Sequence, residues 1–321
     1  MLDLAIANLS SPLILCFVLG VFAALVRSDL YVPEAAAKAL SIYLLFAIGF
    51  KGGVSVSDHG LDGTLIAALL AGVVLSAALP FLAFGLLRVM SRLDRVNAAA
   101  VAGHYGSISI VTFVAATSVL QDNGLSSEGF MVAVAAAMEA PAILSALWLV
   151  SRDGSARMDS KLWREILLNG SIVLLLGAFL IGALTGRDGL AEIESFIVSP
   201  FKGVLCLFLL DMGLIAGRGL RDNRAMIGPG LFVFGVIMPI LGGLVGVIAG
   251  AGLGLSTGGT MLFAVLGASA SYIAVPAAMR VAVPDADPGI YLTLSLGITF
   301  PFNLTIGIPL YLAVARMITG A

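Results

Sequence analysis

Charge is what this 321-residue sequence lacks most. Only 11% of its residues are Asp, Glu, Lys or Arg, less than half of the share of about 25% that is usual in soluble domains. Acidic and basic residues nearly cancel, 19 against 17, so a nucleic-acid partner is not expected. Apolar residues make up 60% of the chain. So few charges cannot coat a water-soluble globule, and the composition predicts an integral membrane protein in contact with lipid.

Cysteine and histidine are also scarce, with two of each. Cys16 and Cys206 lie within apolar runs, so they are predicted to be small core residues and not a metal or redox pair. No His/Cys/Glu cluster has zinc spacing, and no motif brings Ser, His and Asp together. An enzyme is therefore not expected. A sensor is not expected either, because no soluble stretch is long enough for a signalling domain.

Long apolar runs fill most of the chain, and each is close to the roughly 20 residues that a helix needs to cross a bilayer. The runs do not alternate between apolar and polar residues, which excludes the strands of a barrel. We predict an all-α protein with ten spans, near 11–26, 33–50, 63–87, 97–120, 128–151, 166–185, 197–217, 226–252, 257–281 and 288–316. The polar stretch 152–165 is predicted to link two halves, 1–151 and 166–321.

The distribution of basic residues predicts the orientation of the spans, because Lys and Arg accumulate on the cytoplasmic side. Of the 17 basic residues, all but four lie in odd-numbered connections, the exceptions being Lys51, Arg187, Lys202 and Arg316. Both termini are therefore expected outside a bacterial inner membrane, with the 152–165 linker in the cytoplasm. The first ten residues carry no Lys or Arg, so no cleaved signal is expected.

The two halves resemble each other at a fixed offset of 164 residues. Residues 48–53 (IGFKGG) align with 212–217 (MGLIAG), and 101–107 (VAGHYGS) align with 265–271 (VLGASAS). Because five spans per half is an odd number, the second half must enter the membrane from the opposite side. Such an inverted repeat is typical of secondary transporters. No Gly-x4-Gly-Lys-Ser/Thr loop for ATP is present, so an ion gradient is expected to drive transport.

Glycines and hydroxyl residues interrupt the fourth and ninth spans. The interruptions read GHYGSIS at 103–109 and GASASYIAVP at 267–276. Broken helices expose N–H groups that hold an anion and carbonyl groups that suit a hard cation such as Na⁺. Close helix packing is the alternative role for these small residues. Their matched positions favour a site where the two broken helices cross at the midplane.

Polar side chains near the interruptions are the candidate ligands. The hydroxyls predicted to hold an anion belong to Ser107, Ser109 and Ser271. Tyr105 and Tyr272 either donate to a carboxylate-like ligand or wedge helices apart. His104 is either a neutral ring bonded to a neighbouring helix or a proton shuttle.

Ionisable residues within spans are costly and are candidates for function. Glu139 lies in the fifth span, and the 164-residue offset relates it to Asn303, so both are candidate Na⁺ ligands. The alternative is a protonated or helix-capping Glu139 beside Pro141. Asp211 is a third candidate, unless it pairs with a basic residue at the end of its span.

Short motifs follow one another along nearly the whole chain. Among them are Ser11-Pro12, Val32-Pro-Glu34, Gly103-x-x-Gly106-x-x-Ser109-x-x-Thr112, Met138-acid-x-Pro141, Ala268-Ser269, Pro276, Arg280, Pro301 and Ile308-Pro-Leu310. In their order and spacing they resemble the SbtA-type sodium-dependent bicarbonate transporter family, of which this chain would be a divergent member with a short central loop.

The resemblance implies Na⁺-coupled bicarbonate symport by an elevator-like motion of a core domain, which holds the broken helices, against a gate domain. It also implies a homo-oligomer, specifically a trimer. In cyanobacterial members a PII-like protein binds the cytoplasmic face, but the central loop that would accompany such regulation is much shorter here. By position, the implied ligands are Gly106, Ser109, Thr112, Ser269 and Ser271, with Glu139 replacing an Asp.

The second interruption departs from the family pattern. The family typically reads Ser-Ser-Ser-Asp-Ile-Ser-Gly-Pro, whereas residues 269–276 here read SASYIAVP, so Tyr272 stands where the family has an acid. One hypothesis is that Asp211 restores that charge. The alternative function on this scaffold is a cation/proton antiporter or an organic-anion carrier, and in an antiporter Glu139 or Asp211 would titrate.

Overall fold

All the regular structure in the described part of the chain is helical. A computed structural model describes residues 10–59, 63–151, 168, 170–223 and 226–320. In lipid the backbone must satisfy its own hydrogen bonds, and unbroken apolar runs do so as helices. The all-α prediction is confirmed for these residues. The predicted linker 152–165 lies outside them.

The described residues of the first half form seven helices. They are α1 (Pro12–Leu25), α2 (Glu34–His59), α3 (Gly63–Met90), α4 (Arg95–His104), α5 (Ile110–Asp122), α6 (Met131–Ala137) and α7 (Glu139–Ser151). Helix α2 continues well past the predicted end of its span at residue 50, because a helix does not have to end where its sequence becomes polar.

The described residues of the second half form six helices. They are α8 (Gly170–Ile197), α9 (Phe201–Asp222), α10 (Pro229–Gly252), α11 (Thr257–Ala268), α12 (Ala274–Ala282) and α13 (Pro288–Thr319). Helix α13 contains two π-helical segments, Thr293–Thr299 and Asn303–Gly307. Helix α8 is kinked at Gly186, whose φ of 60° and ψ of −150° are open almost only to glycine.

Among the described residues, seven helical segments are long and apolar enough to cross a membrane. They are α2, α3, α6 together with α7, α8, α9, α10 and α13, and three shorter apolar helices, α1, α5 and α11, accompany them. This finding supports a multi-pass membrane protein. The division into ten spans in two inverted repeats stays a prediction.

Helix boundaries recur at the 164-residue offset found in the sequence. Helix α4 ends at His104 and α11 ends at Ala268, while α5 begins at Ile110 and α12 begins at Ala274. Packing recurs at the same offset, because α2 packs along α8, and α9, the counterpart of α2, packs along α1. These regularities agree with a repeated unit.

Glycines allow the two equivalent helix pairs to approach closely. A Cβ on Gly53 of α2 would lie 2.6 Å from the backbone nitrogen of Ala183 in α8. At the equivalent Gly217 of α9, a Cβ would lie 2.7 Å from the Cβ of Ala24 and 2.9 Å from the carbonyl oxygen of Val21 in α1. The matching glycine motifs of the two halves are therefore contact points between helices, as is common for small residues in membrane proteins.

Replacing Gly53 with Val should destabilise the protein, because the added side chain would meet helix backbone that cannot move aside. Overpacking of this kind costs about 1–3 kcal/mol, so the thermal unfolding midpoint in detergent should fall by several degrees. Gly177→Val on α8 is the matched control, since a Cβ there meets no atom within 4 Å. Equal midpoints for the two variants would contradict the close approach of α2 and α8.

Candidate functional site

The two interruptions are short non-helical stretches, 105–109 between α4 and α5 and 269–273 between α11 and α12. Each leaves the last carbonyl groups of one helix and the first N–H groups of the next without partners in their own helix. Ser109 caps α5 by accepting a hydrogen bond from the backbone N–H of Thr112. At the start of α12, Ile273 provides no side-chain cap. We call these stretches the first and second breaks.

Two hydrogen bonds join the breaks. The backbone N–H of Ser271 donates to the carbonyl oxygen of His104 at 2.8 Å, and Nδ1 of His104 lies 2.5 Å from the carbonyl oxygen of Ser271. Because a carbonyl can only accept, we assign the proton to Nδ1. The buried imidazole also stacks on the Tyr291 ring, with the ring centroids 4.6 Å apart. This His104–Ser271 clamp agrees with the predicted ring bonded to a neighbouring helix.

A cavity of about 20 Å³ lies between the breaks, and we call it the central cavity. That volume is enough for one water-sized group. Four predicted ligands meet around it, namely Ser109, Glu139, Ser271 and Tyr272. Its other lining residues are Leu45, Ile108, Ile110, Ser171, Leu175 and Ile273.

Ser109 and Glu139 give the central cavity a donor and an acceptor. Oγ of Ser109 accepts from the backbone N–H of Thr112 at 3.3 Å and from Oγ1 of Thr112 at 2.9 Å. Since two donors already occupy this oxygen, the Ser109 proton is left for a third partner. Glu139, which is 7% exposed, lines the same space from the first turn of α7.

Three other predicted ligands have contacts that hold the breaks in shape. Oγ of Ser107 donates to the carbonyl oxygen of Glu139 at 3.2 Å, and Oγ of Ser269 donates to that of Val265 at 2.6 Å. A Cβ on Gly106 would lie 2.5 Å from the carbonyl oxygen of Ser76, so this glycine allows close packing on α3. None of the three lines the central cavity.

Tyr105 and Asn303 also lie outside the lining of the central cavity. The Tyr105 hydroxyl donates to Oγ1 of Thr299 at 2.7 Å, because Thr299 itself donates to the carbonyl oxygen of Gly235. Nδ2 of Asn303 donates to the carbonyl oxygen of Ala268 at 2.8 Å. Asn303 thereby satisfies the last carbonyl of α11, and its role as a Na⁺ ligand stays a prediction.

Asp211 is buried on α9 and does not line the central cavity. The positive charge of Arg218 acts on the Asp211 carboxyl group from about two turns further along the same helix. This agrees with the alternative in which Asp211 faces a basic residue near the end of its span. Its predicted part in Na⁺ binding, and the hypothesis that it replaces an acid at Tyr272, stay untested.

Two larger cavities lie at opposite ends of α2. One of about 690 Å³ is bordered by Glu34 and Arg218, and the other, of about 270 Å³, by Lys51 and Ser55. Because α2 rises about 1.5 Å per residue, these ends are roughly 30 Å apart. We call the cavities the Arg218 vestibule and the Lys51 vestibule.

The linings of the vestibules match at the 164-residue offset. Eight pairs of lining residues correspond: Ile48 and Met212, Lys51 and Ile215, Gly52 and Ala216, Ser55 and Gly219, Leu125 and Gly289, Glu128 and Leu292, Gly129 and Thr293, and Val132 and Leu296. The Arg218 vestibule adjoins the central cavity, since Tyr272 and Ile273 border both. Within the described ranges, no residue borders both the Lys51 vestibule and the central cavity.

A family model for the Na⁺-dependent bicarbonate transporter superfamily matches residues 12–316, nearly the whole chain. The chain belongs to this superfamily. The family resemblance inferred from the sequence motifs is therefore confirmed. Superfamily membership implies a Na⁺-dependent bicarbonate transporter, and together with the seven apolar helices it supports a multi-pass membrane protein in contact with lipid. Comparison with the curated proteins finds no match.

Six residues that border the central cavity of this superfamily member were not predicted from the sequence, among them Ile108 and Ser171. Ile108 lies between two predicted ligands, and its counterpart at the 164-residue offset is Tyr272, so the repeat itself could have indicated it. Ser171 reaches the cavity from the start of α8. Nothing in the sequence pattern marks a serine at the start of a span as a residue that lines a cavity.

Replacing His104 with Leu should destabilise the protein by about 1–3 kcal/mol, because the buried carbonyl of Ser271 would lose its donor. His104→Asn keeps a nitrogen donor near the position of Nδ1, and should restore part of the loss. The measurement is thermal unfolding of the purified protein in detergent. Ser118→Ala is a further control, since this buried hydroxyl has no partner among the described residues. A stable His104→Leu protein would show that the clamp is not needed.

Proposed function

We propose that the chain imports bicarbonate together with Na⁺ by alternating access, with the central cavity as the common site. The observation that carries the proposal is the lining of this cavity. It combines the N-terminal ends of α5 and α12, serine hydroxyls and a buried carboxyl group. Helix N-termini favour an anion, whereas a carboxylate favours a cation, so one small space suits an ion pair.

The Na⁺ ion is proposed to lie at Glu139. Among the described residues, no side chain donates a hydrogen bond to its carboxyl group, and burial of an uncompensated carboxylate is costly. A Na⁺ ion would supply the missing charge. The role of the anion donors is given to Ser109 and Ser271, together with the first N–H groups of α5 and α12.

Coupling follows from the cost of a lone charge in the middle of the bilayer. With Glu139 ionised, bicarbonate alone would add a second negative charge to the central cavity, while Na⁺ binding first would neutralise the carboxylate. Bicarbonate without Na⁺ is therefore not expected to cross, whereas the site loaded with both ions carries the same net charge as the empty site.

Alternating access is supported by the two matching vestibules. The Arg218 vestibule is the larger one and shares two lining residues with the central cavity, whereas the Lys51 vestibule shares none among the described residues. The distribution of basic residues assigns the Arg218 side to the cytoplasm. The present form is then closed to the outside, and the opposite form would arise if the two halves exchanged their local conformations.

The remaining expectations rest on the resemblance to the family. We propose an elevator-like motion, a homotrimer, and a bacterial inner-membrane location with both termini outside. A PII-like regulator has no support from the described residues, since the predicted central linker lies outside them.

Radiolabelled bicarbonate uptake into proteoliposomes, with and without an inward Na⁺ gradient, tests the proposed function. Glu139→Gln should raise the Na⁺ concentration needed for half-maximal uptake about tenfold or more. This change corresponds to a loss of about 1.4 kcal/mol in Na⁺ binding. Glu194→Gln, which removes an exposed carboxylate outside the three cavities, is the control. Asp211→Asn tests the rival carboxylate in the same assay.

Two results would contradict the proposal. If Asp211→Asn lost the Na⁺ dependence of uptake while Glu139→Gln kept it, the Na⁺ site would have to lie at Asp211, away from the central cavity. Wild-type transport that follows a proton gradient and ignores Na⁺ would favour the cation/proton antiporter instead.

A further inference from the structure

Tyr272 lies on the boundary between the Arg218 vestibule and the central cavity. It borders both spaces, and its side chain is 9% exposed. The ring packs edge-on against Phe300 of α13, with centroids 5.4 Å apart, and Phe300 packs edge-on against Phe17 of α1 at the same distance. A row of three aromatic rings therefore runs from the second break to α1.

The hydroxyl group of Tyr272 is buried beside Ser109 and makes no hydrogen bond of normal geometry to any described residue. Buried polar groups without a partner are costly and uncommon. Since this hydroxyl lies beside Ser109, and both residues border the central cavity, a bound ligand with acceptor oxygens would satisfy it. The phenol and the Ser109 hydroxyl would then donate to the same ligand.

The counterpart of Tyr272 in the first half neither borders a vestibule nor carries a hydroxyl group. At the 164-residue offset this position is Ile108, which borders the central cavity but neither vestibule. Among the described residues, a ring with a hydrogen-bond donor therefore borders the central cavity only on the side of the Arg218 vestibule.

We propose that the Tyr272 ring is the barrier between the Arg218 vestibule and the central cavity, and that its hydroxyl donates to the bound oxyanion as a specificity-determining group. The donor role rests on the proposed function, whereas the barrier role does not. A cavity of about 20 Å³ holds one water-sized group, so an anion with several heavy atoms needs more room. Movement of the ring away from Phe300 would join this space to the vestibule of about 690 Å³.

The barrier can be tested without measuring transport. Leu175 lines the central cavity and is 1% exposed, so Leu175→Cys in a Cys16→Ser, Cys206→Ser background reports access to it. A membrane-impermeant thiol reagent is added to inside-out vesicles, on the side of the Arg218 vestibule. We expect the open form to be a minor state, populated to at most about 10%. Because Tyr272→Ala would leave the path open all the time, it should speed modification by about tenfold or more.

Ile108→Ala is the matched control for this test. It also shortens a side chain that lines the central cavity, but it opens no path to either vestibule, so the modification rate should stay at that of the parent. Tyr272→Val repeats the truncation with a β-branched residue if the alanine variant does not fold. Equal rates for the truncations of Tyr272 and Ile108 would overturn the barrier.

Tyr272→Phe tests the donor, because it keeps the ring and removes only the hydroxyl. Modification of Leu175→Cys should be unchanged, whereas the KM for bicarbonate should rise about tenfold, as for loss of a hydrogen bond to a charged group. Tyr43→Phe is the control, since its hydroxyl donates to the carbonyl oxygen of Phe196, away from the three cavities.

The two tests separate failure of the inference from failure of the proposed function. An unchanged KM in Tyr272→Phe would overturn the donor role. Absence of bicarbonate uptake by the parent protein would refute the proposed function, and the donor role with it. The result for the barrier would stand in either case, because thiol modification does not depend on the identity of the substrate.

Discussion

The rest of the site depends on the two hydrogen bonds between His104 and Ser271. A break in a helix exposes peptide groups that lipid cannot satisfy, so each break needs partners within the protein. Here the second break donates a backbone N–H to the carbonyl oxygen of His104, and the His104 ring returns a hydrogen bond to the carbonyl oxygen of Ser271. The breaks therefore face each other, and the start of α5 and the residue just before α12 border one cavity.

Helix boundaries recur at the 164-residue offset, but unlike side chains at matching positions make different contacts in the two halves. Glu139 lines the central cavity, whereas its counterpart Asn303 donates to the last carbonyl of α11. Tyr272 closes one side of the cavity, and its counterpart Ile108 has no polar group to offer. In the proposed transporter, matching halves would suit exchange between two forms, while the uneven distribution of charge and donors would bind a particular pair of ions.

The positions of the breaks could be predicted because glycine and serine clusters are conspicuous within long apolar runs. The 164-residue offset was also visible, and the helix boundaries at His104 and Ala268 follow it. Which hydroxyl faces the cavity could not be predicted. Ser107 and Ser109 lie two residues apart in a non-helical stretch, and their directions depend on backbone torsions that the sequence pattern does not reveal. Ser107 donates back to a carbonyl group, whereas Ser109 borders the cavity.

The hydrogen bonds around the central cavity also indicate where it would open. Separation of the breaks at the clamp would cost two buried hydrogen bonds and would leave both carbonyl groups without donors. Movement of Tyr272 would cost edge-on aromatic contact with Phe300, but its hydroxyl has no hydrogen bond of normal geometry to lose among the described residues. Aromatic contacts of this kind contribute about 0.5–1.5 kcal/mol, less than a buried pair of hydrogen bonds. The cavity is therefore expected to widen at Tyr272 while the clamp stays closed, so that the helix N-termini remain in place around the anion as it leaves.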